Sequence, residues 1–162
     1  MTILTYIFLG ITALIATLLD ISYFSFLSVA GSSILLVFII QLILAALDLK
    51  YYSIIFASFA VLFYAGLSSV PIQYILILFI IIPLLIFYLR QKIRFDLTYF
   101  SFLFIIVGSC AVFQILLIIL ELNFSIQSFL SALTFIVVNS LAGIVVFSIA
   151  KIVAQKLKLV KD

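Results

Sequence analysis

The chain has 162 residues, of which 69% are hydrophobic and 8% are charged, and its formal net charge is +3. A soluble domain carries about a quarter charged residues, so this composition excludes a soluble globular protein and predicts an integral membrane protein. The sequence contains no His and a single cysteine, Cys110, which excludes an internal disulfide and the usual transition-metal sites. We therefore expect no metal and no other cofactor.

Six apolar segments follow one another along the chain, and each approaches the ~20 residues that a helix needs to cross ~30 Å of hydrocarbon. The segments are continuously apolar rather than alternating, which favours helices over the strands of a membrane barrel. We predict an all-α membrane bundle that forms one domain over residues 1–162. The predicted transmembrane helices are 3–19, 29–47, 53–69, 71–89, 98–120 and 127–150.

The third and fourth segments meet at an uncharged stretch, "AGLSSVPIQY", which we interpret as a tight helical hairpin. Gly66 suits a left-handed residue that ends the third helix. Ser68 or its neighbour suits the N-cap of the fourth helix, and Pro71 suits its first turn. Pro83 lies inside the fourth segment, where we expect it to distort the helix.

All eight Lys and Arg residues fall on one side of this arrangement, and the connections on the other side carry Asp20 and Glu121 as their only charges. Because cationic residues are retained in the cytoplasm, both termini are predicted to be cytoplasmic and the protein to lie in the cytoplasmic membrane. We interpret the cations as orientation determinants that contact anionic lipid rather than nucleic acid, with an acidic protein partner as the alternative. These cations include Arg90, Lys92, Arg94, Lys151, Lys156 and Lys158.

Tyrosines near the segment ends agree with this topology, since a ring with a polar tip suits the headgroup level of a membrane. Four flank the predicted cytoplasmic loops and three lie near the outer connections. The residues are Tyr51, Tyr52, Tyr88 and Tyr99, and then Tyr23, Tyr64 and Tyr74.

Polar side chains inside the segments are the first candidates for a functional site. Gln114 and Asn139 fall near the middle of the fifth and sixth segments, and Gln41 falls in the second. Gln114 and Asn139 predict either an interhelical hydrogen bond or a site for a polar substrate or ion. Asp20 and Glu121 predict solvated acids at outer helix ends, or a pair that shares acid–base work or a cation.

Two patches of small residues mark places where helices can approach closely. They are "GSCA" at 108–111, which contains Gly108, and "NSLAG" at 139–143, which ends at Gly143. Asn139 and Gly143 are four residues apart and share one helical face. Either patch suits packing within the bundle or against a second membrane protein.

The order of these features resembles the MreD family of rod-shape-determining membrane proteins. The stretch "IIFASFAVLFYAGLSSVPIQYILILFIIIPLLIFYLRQKI" resembles that family's third and fourth spans, and "FSFLFIIVGSCAVFQILLIIL" and "LTFIVVNSLAGIVVFSIAKIV" resemble its last two. The chain departs from the family in lacking an acidic residue near Phe63, Tyr64 and Ala65. The resemblance implies a non-catalytic scaffold for cell-wall elongation and cell shape, with MreC-like and cell-wall synthase proteins as its partners.

Two other functions fit the same outline. The substrate-binding membrane subunit of an energy-coupling-factor vitamin transporter also has this size and orientation, and it would need a polar pocket open to the outside. An enzyme that acts on a lipid-linked substrate would need His, paired acids or an arginine clamp at the interface, and the sequence offers no such constellation.

Overall fold

The protein folds as a bundle of helices in a computed structural model that describes residues 3–23, 32–92 and 98–156, without the side chains at 90–92 and 153–156. The all-α prediction is confirmed. Five of the helices are long and apolar enough to cross a membrane, so the chain is a multi-pass membrane protein. The helices are α1 (Ile3–Leu18, continued by a π-helical turn Leu19–Tyr23), α2 (Leu36–Ala46), α3 (Lys50–Leu67), α4 (Ile72–Leu76, a π-helical turn Ile77–Ile81, then Ile82–Lys92), α5 (Tyr99–Glu121) and α6 (Ile126–Lys156).

The second helix is much shorter than predicted. The prediction places a span at 29–47, whereas α2 begins at Leu36 and has 11 residues, and positions 29–31 lie outside the described residues. A helix of that length covers ~16 Å, about half of the hydrocarbon layer. Residues 32–35 approach α2 without helical structure. Over the described ranges the bundle therefore contains five long helices and one half-length helix rather than six full spans.

The helices run in alternating directions, so the bundle has two distinct ends. One end, which we call the Lys50 end, holds the starts of α3 and α5 and the ends of α2, α4 and α6. The opposite end, which we call the Glu121 end, holds the ends of α1, α3 and α5 and the starts of α4 and α6. Because α2 spans half the layer from the Lys50 end, its first turn lies deep within the bundle.

The short helix α2 is the centre of the core. It contacts each of the other five helices. A helix that is apolar all round is stable only when it is enclosed by neighbours, and α2 meets that condition. Its fully enclosed side chains include Val37, Phe38, Ile39, Leu42 and Ala45.

The α3–α4 hairpin forms where the sequence predicts it, but Gly66 and Ser68 do not take the predicted helix-ending and capping roles. Gly66 remains within α3, and its backbone is not left-handed. The Ser68 hydroxyl donates to the Tyr64 carbonyl oxygen at 2.7 Å, so this serine completes the end of α3 rather than capping α4. Further along, the π-helical turn of α4 ends two residues before Pro83, where a missing N–H requires the regular bonding pattern to change.

Candidate functional site

The break before α2 leaves the first N–H groups of that helix without partners in their own helix. Asp20, in the π-helical turn after α1, supplies the acceptors. Its Oδ1 accepts from the Leu36 N–H at 2.7 Å and its Oδ2 from the Val37 N–H at 3.0 Å. A carboxylate is favourable here because the helix dipole is positive at its N-terminus.

Tyr64 completes the coordination of this carboxylate. Its hydroxyl donates to Asp20 Oδ2 at 2.7 Å, and both side chains are buried, with 6% of Tyr64 and 5% of Asp20 exposed. The prediction of a solvated acid at Asp20 is therefore wrong, and the Tyr64 ring is enclosed by protein. Asp20 instead ties α1, α2 and α3 together in the interior.

Asn139 of α6 performs the matching task for the segment that leads into α2. Its Oδ1 accepts from the Leu35 N–H at 2.9 Å, and its Nδ2 donates to the Ser33 carbonyl at 3.0 Å and to the Phe135 carbonyl at 3.1 Å. Irregular backbone at membrane depth is stable only where protein groups satisfy it, and this amide satisfies both a donor and an acceptor. Ser32 adds a bond from its hydroxyl to the Ser131 carbonyl at 2.9 Å.

The predicted bond between Gln114 and Asn139 is not formed. Within the described residues Asn139 is engaged with the segment before α2, whereas Gln114 faces a cavity and is half-buried. The third polar candidate, Gln41, donates from Nε2 to the Ser53 hydroxyl at 2.8 Å. Its buried Oε1 has no hydrogen-bond partner among the described residues.

A polar cavity of about 300 Å³ opens near the Glu121 end, between α5, α6 and the segment before α2. We call it the Glu121 pocket. Its volume is at the lower end of the ~300–1,000 Å³ typical of small-molecule sites. Its wall combines hydroxyl, amide and carboxylate groups with apolar side chains. The lining residues are Ser32, Ser33, Phe113, Gln114, Leu117, Ile118, Glu121, Asn123, Ser128, Ser131 and Phe135.

The two outer acids serve different neighbours and do not form a pair. Asp20 is bound by Tyr64 and the start of α2, whereas Glu121 Oε1 accepts from the Tyr74 hydroxyl at 3.2 Å. Glu121 is exposed, as predicted for an acid at a helix end. The sequence shows both acids but gives no sign of where α2 begins, and that position decides which acid is buried.

The glycines of the two small-residue patches lie in different environments, one buried and one exposed. Gly143 is buried, and a Cβ built on it would overlap Ile106 Cδ1 and come within 3.8 Å of Phe102. Gly143 therefore serves the contact between α5 and α6 within the bundle.

Gly108 is exposed, and a Cβ built on it would meet no atom within 4 Å. It lies in an apolar groove of about 420 Å³ between α4 and α5, which we call the Gly108 groove. The groove is lined by Ile82, Leu85, Ile86, Leu89, Ser101, Phe104, Ile105, Gly108, Ser109 and Val112.

The described basic side chains lie at the Lys50 end. Lys151 stands over the Tyr99 ring, with its Nζ 4.9 Å from the ring centroid, and Lys50 Nζ lies 3.9 Å from Asp48 Oδ1. The other cations within the described ranges have their backbones in helices α4 and α6, and they are Arg90, Lys92 and Lys156. Three more cations fall outside those ranges, and they are Arg94, Lys158 and Lys161.

Within the described ranges, no group of three or more Cys, Asp or Glu side chains is placed to hold a metal ion. The buried Asp20 and Asn139 are engaged with the protein's own backbone. The cavities between the described helices include the Glu121 pocket, the Gly108 groove and a further apolar cavity of about 530 Å³ between α3 and α4. In comparisons with known proteins, no family model, curated protein or solved structure matches the chain.

Proposed function

We propose that this chain is a non-catalytic, MreD-like scaffold of the bacterial cell-wall elongation machinery that holds a partner protein within the cytoplasmic membrane. The observation that carries the proposal is the Gly108 groove. It is apolar, opens between two long helices and is lined by an exposed glycine, past which a second backbone can approach closely. The hydropathy pattern shared with the MreD family adds support from the sequence.

The groove has properties that suit a transmembrane helix of a partner protein. Helix association in lipid depends on close van der Waals packing, since lipid tails are as apolar as leucine. Gly108 and Ser109 provide the small residues that such packing needs, and Phe104 and Val112 provide exposed apolar edges. The expected occupant is a membrane-spanning helix of an MreC-like or cell-wall synthase protein.

The test is co-purification of membrane proteins with a glycine variant. We expect Gly108→Leu to fill the groove and to lower the recovery of the partner about tenfold or more, while insertion and abundance stay unchanged. Gly66→Leu is the matched control on a different helix. Gly66 is also an exposed helical glycine, and a Cβ added to it would meet no atom within 4 Å.

Cell shape gives the second readout. Depletion of the protein in a rod-shaped native host should make the cells round, and the wild-type chain and Gly66→Leu should restore rods where Gly108→Leu does not. Recovery of the same partner with all three chains, or unchanged shape after depletion, would remove the support for the scaffold proposal.

The alternative is the substrate-binding subunit of an energy-coupling-factor transporter, and one observation favours it. The Glu121 pocket is polar and lies at the end of the bundle that is predicted to face outside. In that case the co-purified partners would include a pair of ATPase subunits, and their recovery would be insensitive to Gly108→Leu.

A further inference from the structure

The Glu121 pocket contains polar groups that the fold itself does not use. Gln114 makes no hydrogen bond to another described residue, in contrast to Asn139 on the facing helix, whose amide is fully engaged. Glu121 receives the Tyr74 hydroxyl on Oε1, so its Oε2 is available to a further donor. A cavity in which a few unengaged polar groups lie among apolar side chains has the usual form of a small-molecule binding site.

The charge of the lining residues limits which ligands the Glu121 pocket can bind. Glu121 is the only ionisable residue among the eleven described residues that line the pocket, and no Lys or Arg is among them. A carboxylate without a basic neighbour attracts a cationic group and repels a ligand whose only charges are negative. The other polar groups, those of Gln114, Asn123 and the serines, can all accept hydrogen bonds from N–H donors.

The apolar residues that line the pocket also favour an organic cation as its ligand. Phe113 and Phe135 are among the lining residues of the same pocket, with ring centroids 5.7 Å apart. A ring face attracts a nearby cation. We infer that the Glu121 pocket binds a primary ammonium group, with Glu121 as its counter-ion and Gln114 as a hydrogen-bond acceptor.

The ammonium group has two possible sources, and the pocket chemistry is the same for both. It can belong to a small free amine that enters from water, or to the headgroup of an aminophospholipid, since the pocket lies at the end of α5 where headgroups are expected. The inference does not depend on the scaffold proposal, because the pocket and the Gly108 groove share no lining residue.

The first arm of the test uses free ethanolamine, with ethylene glycol as a neutral molecule of nearly the same shape. Binding to the full-length protein in mild detergent is measured by ligand-observed NMR. The second arm places the protein in nanodiscs that contain phosphatidylethanolamine or phosphatidylglycerol and counts the lipids retained after extraction by native mass spectrometry.

We expect ethanolamine, or phosphatidylethanolamine, to bind about tenfold or more tightly than its partner probe, and Glu121→Gln to abolish that preference. Gln114→Leu should weaken binding of the same probe. The matched controls are Asp48→Asn, which neutralises an exposed acid at the Lys50 end, and Gln127→Leu, which changes an exposed amide outside the pocket. Neither control should alter binding.

A preference in the first arm alone identifies a free amine as the ligand, and a preference in the second alone identifies a lipid headgroup. Equal binding of the ammonium-bearing probe and its control in both arms, or a preference that survives in folded Glu121→Gln, would overturn the inference. Because Gly108→Leu leaves the pocket unchanged, loss of a partner protein in that variant with intact ammonium binding separates the two proposals.

Discussion

At the scale of single residues, Asp20 has the largest structural role of the acids that the structure describes. One carboxylate accepts from two backbone N–H groups of α2 and from the Tyr64 hydroxyl. Each donor would otherwise be buried without a partner, and an unsatisfied buried group destabilises a fold by about 1–3 kcal/mol. Asp20 is therefore the residue that allows a helix to begin in the middle of the bundle.

Removing that carboxylate should destabilise the fold more than removing any other described acid. We expect Asp20→Ala to lower the free energy of unfolding by about 2 kcal/mol or more, and Tyr64→Phe by about 1 kcal/mol, because the second change removes one donor and leaves the helix cap intact. The measurement is reversible unfolding in mixed detergent micelles. Glu121→Ala, at an exposed acid, is the control and should change little; a similar loss in both acid variants would contradict the capping role.

Sequence alone could not assign this role. Asp20 is visible as a charge between two apolar segments, and a solvated helix end is the usual meaning of that pattern. Its burial follows from the start of α2 at Leu36, and hydropathy does not mark that start, because the stretch from Ser32 to Leu35 is nearly as apolar as a helix. The serines at 32 and 33 and the buried Asn139 are the local signs that irregular backbone requires partners.

At the scale of helices, the contact between α5 and α6 depends on one position without a side chain. Gly143 faces Ile106 and Phe102, and the Phe102 ring stacks on Phe147 with centroids 4.2 Å apart. Ile106 and Phe102 have no exposed surface. A core packed this closely has no room for an additional methyl group, so the glycine determines how near the two helices lie.

A complementary pair of substitutions tests this packing. Gly143→Ala should destabilise the protein by about 1–3 kcal/mol, the usual effect of overpacking. Ile106→Val removes the Cδ1 atom that the new methyl group would meet, and alone it should destabilise by about 1 kcal/mol. In the double variant the two losses should be less than additive when unfolding is measured as above. Strict additivity, or no effect of Gly143→Ala, would show that the helices are not in contact at this position.

At the scale of the whole molecule, the sequence predicts the all-α class and the order of the helices but not the polar contacts inside the bundle. Composition and apolar length are properties of each segment, so the all-α class and the separation of α3 from α4 are predicted correctly. Which polar group meets which is a property of pairs of helices. For that reason the sequence suggests Gln114 as the partner of Asn139, whereas its partners are Ser33 and Leu35 on a different segment.

The distribution of charge between the two ends of the bundle predicts its orientation in the membrane. Lys50 and Lys151 lie at the Lys50 end, and Glu121 lies at the opposite end. Since cationic loops are retained in the cytoplasm, the Lys50 end is expected inside and the Glu121 end outside. Asn123 is exposed beside Glu121, and the native Cys110 is buried, so a cysteine introduced at either end can be read without background from the native thiol.

We expect Asn123→Cys to react with a membrane-impermeant maleimide in intact cells, and Lys50→Cys to react only after the cells are permeabilised. The reason is that ~30 Å of hydrocarbon separates the two positions, and five helices of the required length connect the two ends. Position 20 is unsuitable for this measurement, because the Asp20 side chain is buried and holds the start of α2. Labelling of Lys50→Cys from outside, with protection of Asn123→Cys, would invert the orientation and place the Glu121 pocket in the cytoplasm, where it would meet amines of the cell interior instead of the exterior.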